Sequence, residues 1–169
     1  EKQRALAEQY ADKIINFTWC NDFGAARNAG LKEAQGEWFM YLDDDEWFDD
    51  PQEIIKFFIT GEYQKYNSAS YIVRNYMDPN GNNYIDSYPS RMVKLNSSIH
   101  FVGRIHEFLA PFCEPRKEFN DFVHHYGYVY KNEQEHVKHV WRNIEPLLVI
   151  RKEYPGDPRW IMQLDQEYF

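Results

Sequence analysis

Cysteine is scarce in this chain of 169 residues: Cys20 and Cys113 stand alone, without C-x-x-C spacing. A disulfide framework and a cysteine-based zinc site are thereby excluded as the basis of the fold, and a reducing, cytoplasmic setting fits. Long apolar runs are missing too. No stretch approaches the roughly 20 apolar residues of a membrane span, and the N-terminus lacks the basic-then-apolar design of a signal peptide. The chain therefore reads as soluble, with no integral membrane segment. Basic residues are in the minority, 19 Lys and Arg against 27 Asp and Glu, for a net charge of −8. That balance argues against general affinity for nucleic acid, since phosphate backbones need a basic surface; a nucleotide can still bind through a metal. Aromatic side chains are in excess, 13 Tyr, 12 Phe and 5 Trp, and such rings build cores and stack on sugars and bases. The length suffices for one domain with a real core, or for one domain plus a helical appendage.

The organising stretch is Gly36 to Pro51, GEWFMYLDDDEWFDDP. Trp38 to Leu42 has the composition of a strand covered on both faces, expected to sit centrally in a sheet. Asp43, Asp44, Asp45 and Glu46 follow where that strand must leave the sheet, which is where open α/β sheets bind ligands. With the backbone extended, Asp43 and Asp45 share a face and Asp44 points away. Two carboxylates on one side suit a hard divalent cation. A calcium loop of EF-hand type is a poor alternative, because Trp47 holds its fifth position and no Gly holds its sixth.

Upstream, Glu1 to Ala11 has helical spacing, with Leu6 and Tyr10 on one face, and Lys13 to Phe17 reads as a strand. Asn21 or Asp22 can cap a helix over Ala25 to Ala34, with Gly36 as its left-handed end. Its Arg27 and Asn28 precede the acidic strand closely enough to lie near the same sheet edge. Downstream, Asp50 as N-cap, Pro51 at the first helical position and Glu53 predict a capping box on a helix whose apolar face runs from Ile54 to Ile59. Short strands and turns fill Tyr71 to Tyr128, with a hairpin at Asn80-Gly81. A helix from about Asn132 to Glu153, kinked at Pro146, and a second one after Asp157 with Trp160, Leu164 and Tyr168 on one face close the chain. The pair looks like one unit of a tetratricopeptide array. One unit cannot bury both faces, so the last helix is expected to lean on the rest of the chain.

These residues carry a resemblance. Asp43-Asp44-Asp45 after an apolar strand, with Phe23-Gly24-Ala25-Ala26-Arg27-Asn28-Ala29-Gly30 upstream, resembles the family 2 glycosyltransferases of GT-A type. Gly103-Arg104-Ile105-His106-Glu107 and His125-Tyr126-Gly127-Tyr128 are similar to a bacterial branch of that family with tetratricopeptide-like helices at the C-terminus. A D-x-D triplet alone is weak, whereas four motifs in order over about 100 residues are specific. The resemblance implies an α/β, GT-A-like mixed sheet flanked by helices in residues 1–130, followed by a C-terminal α-hairpin in residues 131–169. It implies metal-dependent transfer of a hexose-type sugar from a nucleotide-diphosphate sugar to a nucleophile of a glycan, lipid or protein acceptor, with inversion. Magnesium or manganese would neutralise the departing diphosphate.

The implied site follows residue by residue. Asp45 binds the metal, and Asp43 contacts the ribose or a metal water. In some relatives a histidine after the catalytic loop completes the metal shell, a role that falls on His125 and favours manganese; a core hydrogen bond is the competing reading. Arg27, with Asn28 beside it, faces the nucleotide. Glu107 is the general base for the acceptor proton. With Ile105 to Phe108 extended, His106 faces the other way. Arg91 either pairs with a phosphate or forms a structural salt bridge, and His124 has only a structural reading.

The family's first two strands, with the loop that holds the base, are expected ahead of residue 1. On that count the chain is N-terminally truncated, inactive alone, and left with an apolar edge that invites self-association. The rival reading is a binding or scaffold module whose helical tail engages a protein and whose transferase half is vestigial; the retained D-x-D weighs against it.

Overall fold

The computed structural model describes residues 2–168, and the side chains of residues 4–167. Tyr168, expected to continue the Trp160 and Leu164 face, has its ring outside the described side chains. Helix α1 (Lys2–Tyr10) forms where its spacing predicts, with Leu6 and Tyr10 exposed. Residues 13–17 do not form the expected strand. Their side chains favour extended backbone, but a strand also needs a neighbour for its N–H and C=O groups, and none pairs with it among the described residues. Helix α2 (Phe23–Leu31) starts at Asp22, whose Oδ1 accepts from the Ala25 N–H at 2.8 Å. It stops earlier than expected, because the Glu33 and Ala34 N–H groups turn back onto Gly30 and Leu31 carbonyls three residues away.

The mixed sheet has the order β1-β5-β3-β8-β2, with β1 at Trp38–Met40, β2 at Glu46–Phe48, β3 at Ser68–Tyr76, β5 at Ser90–Lys94 and β8 at Arg116–His125. Strand β4 (Tyr84–Ser87) pairs with the second half of β3 across a turn in which Gly81 takes φ +71°. Strands β3 and β8 run parallel; the other pairs are antiparallel. The Trp38 to Leu42 run is therefore an end strand, not the central one expected. The longer β3, whose Ala69 and Tyr71 are fully buried, takes the centre instead. Both faces of β1 are covered all the same: Trp38 lies edge-on to Phe57 and Phe58, and Phe39 packs on Phe101.

Helix α3 (Gln52–Ile59) covers one sheet face through Ile54 and Phe57, packed with Tyr71, Met92, Phe119 and Val123. Its expected capping box does not form. Asp50 accepts from Gln52, Glu53 reaches Asn120, and the open helix N–H groups of Glu53 and Ile54 are accepted by Asp121 of β8. A carboxylate fixed on a neighbouring strand thus satisfies the orphan donors in place of a local one. On the other face, Leu31 of α2 packs with Val93, Phe101 and Leu109, the last two from a separate hairpin of β6 (His100–Val102) and β7 (Phe108–Ala110).

Helix α4 (Glu133–Glu153) begins at Asn132, whose side chain accepts from the Glu135 N–H, and continues through Pro146. Helix α5 (Pro158–Tyr168) follows the break. Their shared core of Ile144, Leu147, Ile150, Trp160 and Leu164 also contains Ile105, with Phe23 against it. The helical pair is therefore seated on the Gly103 to Glu107 segment and on the start of α2. Among the described residues no helix is long and apolar enough to cross a membrane.

Candidate active site

The acidic run leaves β1 as a turn: the Glu46 N–H donates to the Asp43 carbonyl at 3.1 Å. The extended geometry that would align Asp43 with Asp45 is absent, and the two carboxylates reach different partners. Asp43 accepts from Arg27 Nη2 at 2.6 Å and from Arg91 Nη1 at 3.2 Å. Arg91 Nη2 also donates to Glu46 Oε1 at 2.8 Å, and Glu46 Oε2 accepts the Asp43 N–H at 3.0 Å. Both guanidiniums lie against the Tyr41 ring, at 4.6 and 4.5 Å from its centroid. Burial opposes the Asp43 charge, yet Arg27 and Arg91 outweigh it and hold the carboxyl below its ordinary value. Burial likewise opposes the Arg27 charge, and Glu107 and Asp43 reverse the balance, raising it above the usual arginine range. For Tyr41, burial dominates and pushes the phenol up.

Asp45 is half exposed, and its Oδ2 lies 3.5 Å from His125 Nε2. The imidazole is fixed from behind: His125 Nδ1 is 2.7 Å from Asn75 Oδ1. The Asn75 amide faces that way because its Nδ2 donates to the Val73 and Ile85 carbonyls and to Ser87 Oγ. In the neutral ring the Nδ1 proton then goes to Asn75, which leaves a lone pair on Nε2 directed toward a carboxylate. A carboxylate oxygen and an imidazole nitrogen facing each other suit a positive charge between them, either a proton on the ring or a metal ion. Gly127 keeps the adjoining space open, since a Cβ there would stand 2.3 Å from His125 Nε2 and 3.1 Å from Asp45 Oδ2. The donor set and this cradle fit a divalent cation that takes its remaining ligands from water and phosphate oxygens. Among the described residues, no three His, Cys, Asp or Glu side chains converge as a complete metal cage. The expected set of Asp43, Asp45 and His125 is thus divided: Asp45 and His125 meet, and Asp43 is held by two arginines.

Glu107 enters the same cleft, which encloses about 750 Å³ and is lined by Asp43, Asp45, Glu107 and His125 together with groups from α4. Its Oε1 accepts from Arg27 Nε, so one arginine bridges Asp43 and Glu107. The segment before it is not extended as expected. His106 takes φ +49°, the left-handed region, and both His106 and Glu107 line the cleft.

Asn28 behaves differently from Arg27. Its amide donates to the Phe101 carbonyl and accepts the Phe101 N–H, tying α2 to β6 rather than facing the cleft. Arg91, left open between phosphate and structural pairing, has its observed partners in Asp43 and Glu46. His124 sits between Tyr76, whose hydroxyl is 2.7 Å from Nδ1, and Asp49. Sequence reasoning missed Glu46, Asn75 and the groups that α4 brings to the cleft, His139, Arg142 and Asn143. For Glu46 a signal existed, since a carboxylate opening a strand opposite His125 must be buried on one side. No local signal marks the others.

The class is thus a mixed α/β protein whose acidic turn opens a polar cleft beyond a strand end. The family model described as glycosyl transferase family 2 matches residues 2–104, and the chain belongs to that family. Among curated proteins, glycosyltransferase SunS of Bacillus phage SPbeta and its prophage-derived counterpart in Bacillus subtilis are each 27% identical over 161 residues, 88% of this chain and 35% of theirs. A TPR repeat-containing protein of Synechococcus elongatus is 37% identical over 46 residues, 27% of this chain and 11% of its own length. The chain thus spans about a third or less of the curated relatives it matches.

Proposed function

We propose that the cleft is the catalytic site of a GT-A-type glycosyltransferase that moves a hexose-type sugar, with inversion, from a nucleotide-diphosphate donor to an acceptor nucleophile. The observation that carries this reading is the meeting of three separated sequence motifs, through Asp45, Glu107 and His125, in one cleft beside Arg27. In the proposed division, residues 1–130 form the GT-A part and residues 131–169 the helical extension.

Asp45 and His125 would hold a magnesium or manganese ion, which when bound supplies charge neutralisation for the leaving diphosphate. Glu107 accepts the acceptor proton as the new glycosidic bond forms. A carboxylate suits this step because it can hold the proton that the nucleophile loses. Arg27 fixes the direction of that carboxylate and, through Asp43, ties it to the strand end where the donor is expected. Arg91 and Glu46 keep Asp43 in place from beneath. Water exclusion falls to the walls of the cleft, in which Phe23 and Tyr41 are partly buried rings.

The test is calorimetric titration of the chain with manganese alone and then with uridine and guanosine diphosphate in its presence. One manganese site, lost in a folded Asp45→Asn variant, together with metal-dependent nucleotide binding, is the expected result. Unchanged manganese affinity in that variant would remove Asp45 from the site. For Glu107, a Glu107→Gln substitution is expected to lower turnover steeply while leaving donor binding intact.

A further inference from the structure

We propose that the α4–α5 pair positions the proposed base: Glu167 of α5, anchored by Asn143 of α4, holds the His106 turn and thereby sets the direction of Glu107. The inference rests on reading Glu107 as the group that takes the acceptor proton, and the helices then belong to the working site rather than to an appended module.

The backbone gives the first reason. His106 is a non-glycine residue at φ +49°, a left-handed conformation that is unfavourable for an L-residue and persists where the surroundings impose it. The surroundings here come from the helical pair. His106 Nε2 lies 3.4 Å from Glu167 Oε1, and the Asn143 Nδ2 donates to the same oxygen at 2.8 Å. Three neighbouring points pin the segment. Ile105 is buried in the helical core; Gly103, at φ +106°, packs so closely that a Cβ would stand 3.0 Å from the Trp160 ring; and Arg104 pairs with Glu153 at 2.6 Å while its carbonyl accepts the Phe23 N–H.

Asn143 gives the second reason. It is 5% exposed, on a helix face otherwise made of Ile144, Leu147 and Ile150. Packing alone would favour an apolar side chain there, since a buried amide is costly unless it is hydrogen-bonded. Its described partner across the helix pair is Glu167, so the buried amide serves to fix one carboxylate, and that carboxylate faces the strained histidine. Because His106 is left-handed, the next residue swings back toward α2, where Glu107 meets Arg27. Releasing His106 frees the turn and lets Glu107 leave Arg27. Glu167 and Asn143 are positioning residues: they act on Glu107 and need not touch substrate.

The readout is the Arg27 Nε–H resonance in a nitrogen-resolved NMR spectrum of the chain, whose slow exchange reports the pairing with Glu107. Glu167→Ala is expected to speed that exchange about tenfold, in keeping with loss of a hydrogen bond to a charged group. Glu167→Gln, which keeps the Oε1 acceptor for Asn143 and the same bulk beside His106, is expected to stay within about twofold of the parent. His106→Gly supplies a second variant that removes the imidazole and relieves the backbone, so it folds whatever the histidine does; it too should speed the exchange. An unchanged Arg27 signal in a folded Glu167→Ala or His106→Gly chain overturns the proposal, as does equal loss in Glu167→Gln and Glu167→Ala. This outcome is separable from the functional reading, because the resonance reports the Glu107 position whether or not manganese binds or turnover is seen.

Discussion

The carboxylates of one acidic turn, arginine-bound on the buried side and open to the cleft on the other, behave as different materials. Asp43 and Glu46 are bound by Arg27 and Arg91, and the Glu46 side chain is 1% exposed. Asp45, between them in sequence, is 51% exposed and faces only the imidazole of His125 among its recorded ion-pair partners. Their chemistry is the same carboxylate; the difference is whether the protein supplies the counter-charge. Where it does, the carboxylate becomes structure. Where it supplies only an imidazole, the group stays open to the cleft.

The harshest way to break this contrast is to remove the counter-charge at the buried end. Arg91→Ala leaves the buried Glu46 carboxyl without its guanidinium partner, and urea denaturation should show a loss of about 3–5 kcal/mol. Replacing the pair together, Arg91→Met with Glu46→Leu, should recover most of that loss. At the open end, Asp45→Asn should leave urea stability unchanged and abolish detectable manganese binding in titration. A loss of stability comparable with that of Arg91→Ala would erase the distinction between the two ends. A smaller effect is expected one layer back: Asn75→Ala frees the His125 ring and should weaken manganese affinity about tenfold, as groups that orient a ligand do.

The smallest effect concerns pH. Burial lowers the His139 value below 6.5, assisted by Arg142, His136 and His106 and opposed by Glu167. Since the folded chain binds this proton less well than the unfolded chain, the contribution is fully present above the unfolded value. It declines as pH falls from about 6.5 toward the folded value. His139→Gln should flatten the melting-temperature profile across that window, and an identical slope in the variant would show that another group carries it.

Much of the site was legible because it was written in local patterns. The D-x-D after an apolar run, the Gly-Arg-Ile-His-Glu stretch and the His-Tyr-Gly-Tyr stretch each stand at the end of an element, and each delivers a group to the cleft. Misreadings arose where a local rule met a stronger distant partner. Asp50, Pro51 and Glu53 have the spacing of a capping box, but Asp121 already occupies the helix N–H groups. Asn28 sits next to Arg27 in the motif, yet one helical residue further round, its amide meets the β6 backbone. The Trp38 to Leu42 run has a central strand's composition, and it is covered by α3 and Phe101 although it lies at the sheet's end.

The sequence by itself determined the helices, the acidic run at a strand end, the hairpin at Gly81 and the family, because each depends on neighbours a few residues away. Only the tertiary structure decided which carboxylate is neutralised and which is open, and that Asn75 stands behind His125. It also decided that Glu167 lies against His106. Those pairings join residues 16 to 80 positions apart, and their strength depends on burial and on the direction of individual atoms. Charge and hydrogen bonding are short-ranged in space and indifferent to distance along the chain, so no local pattern could announce them.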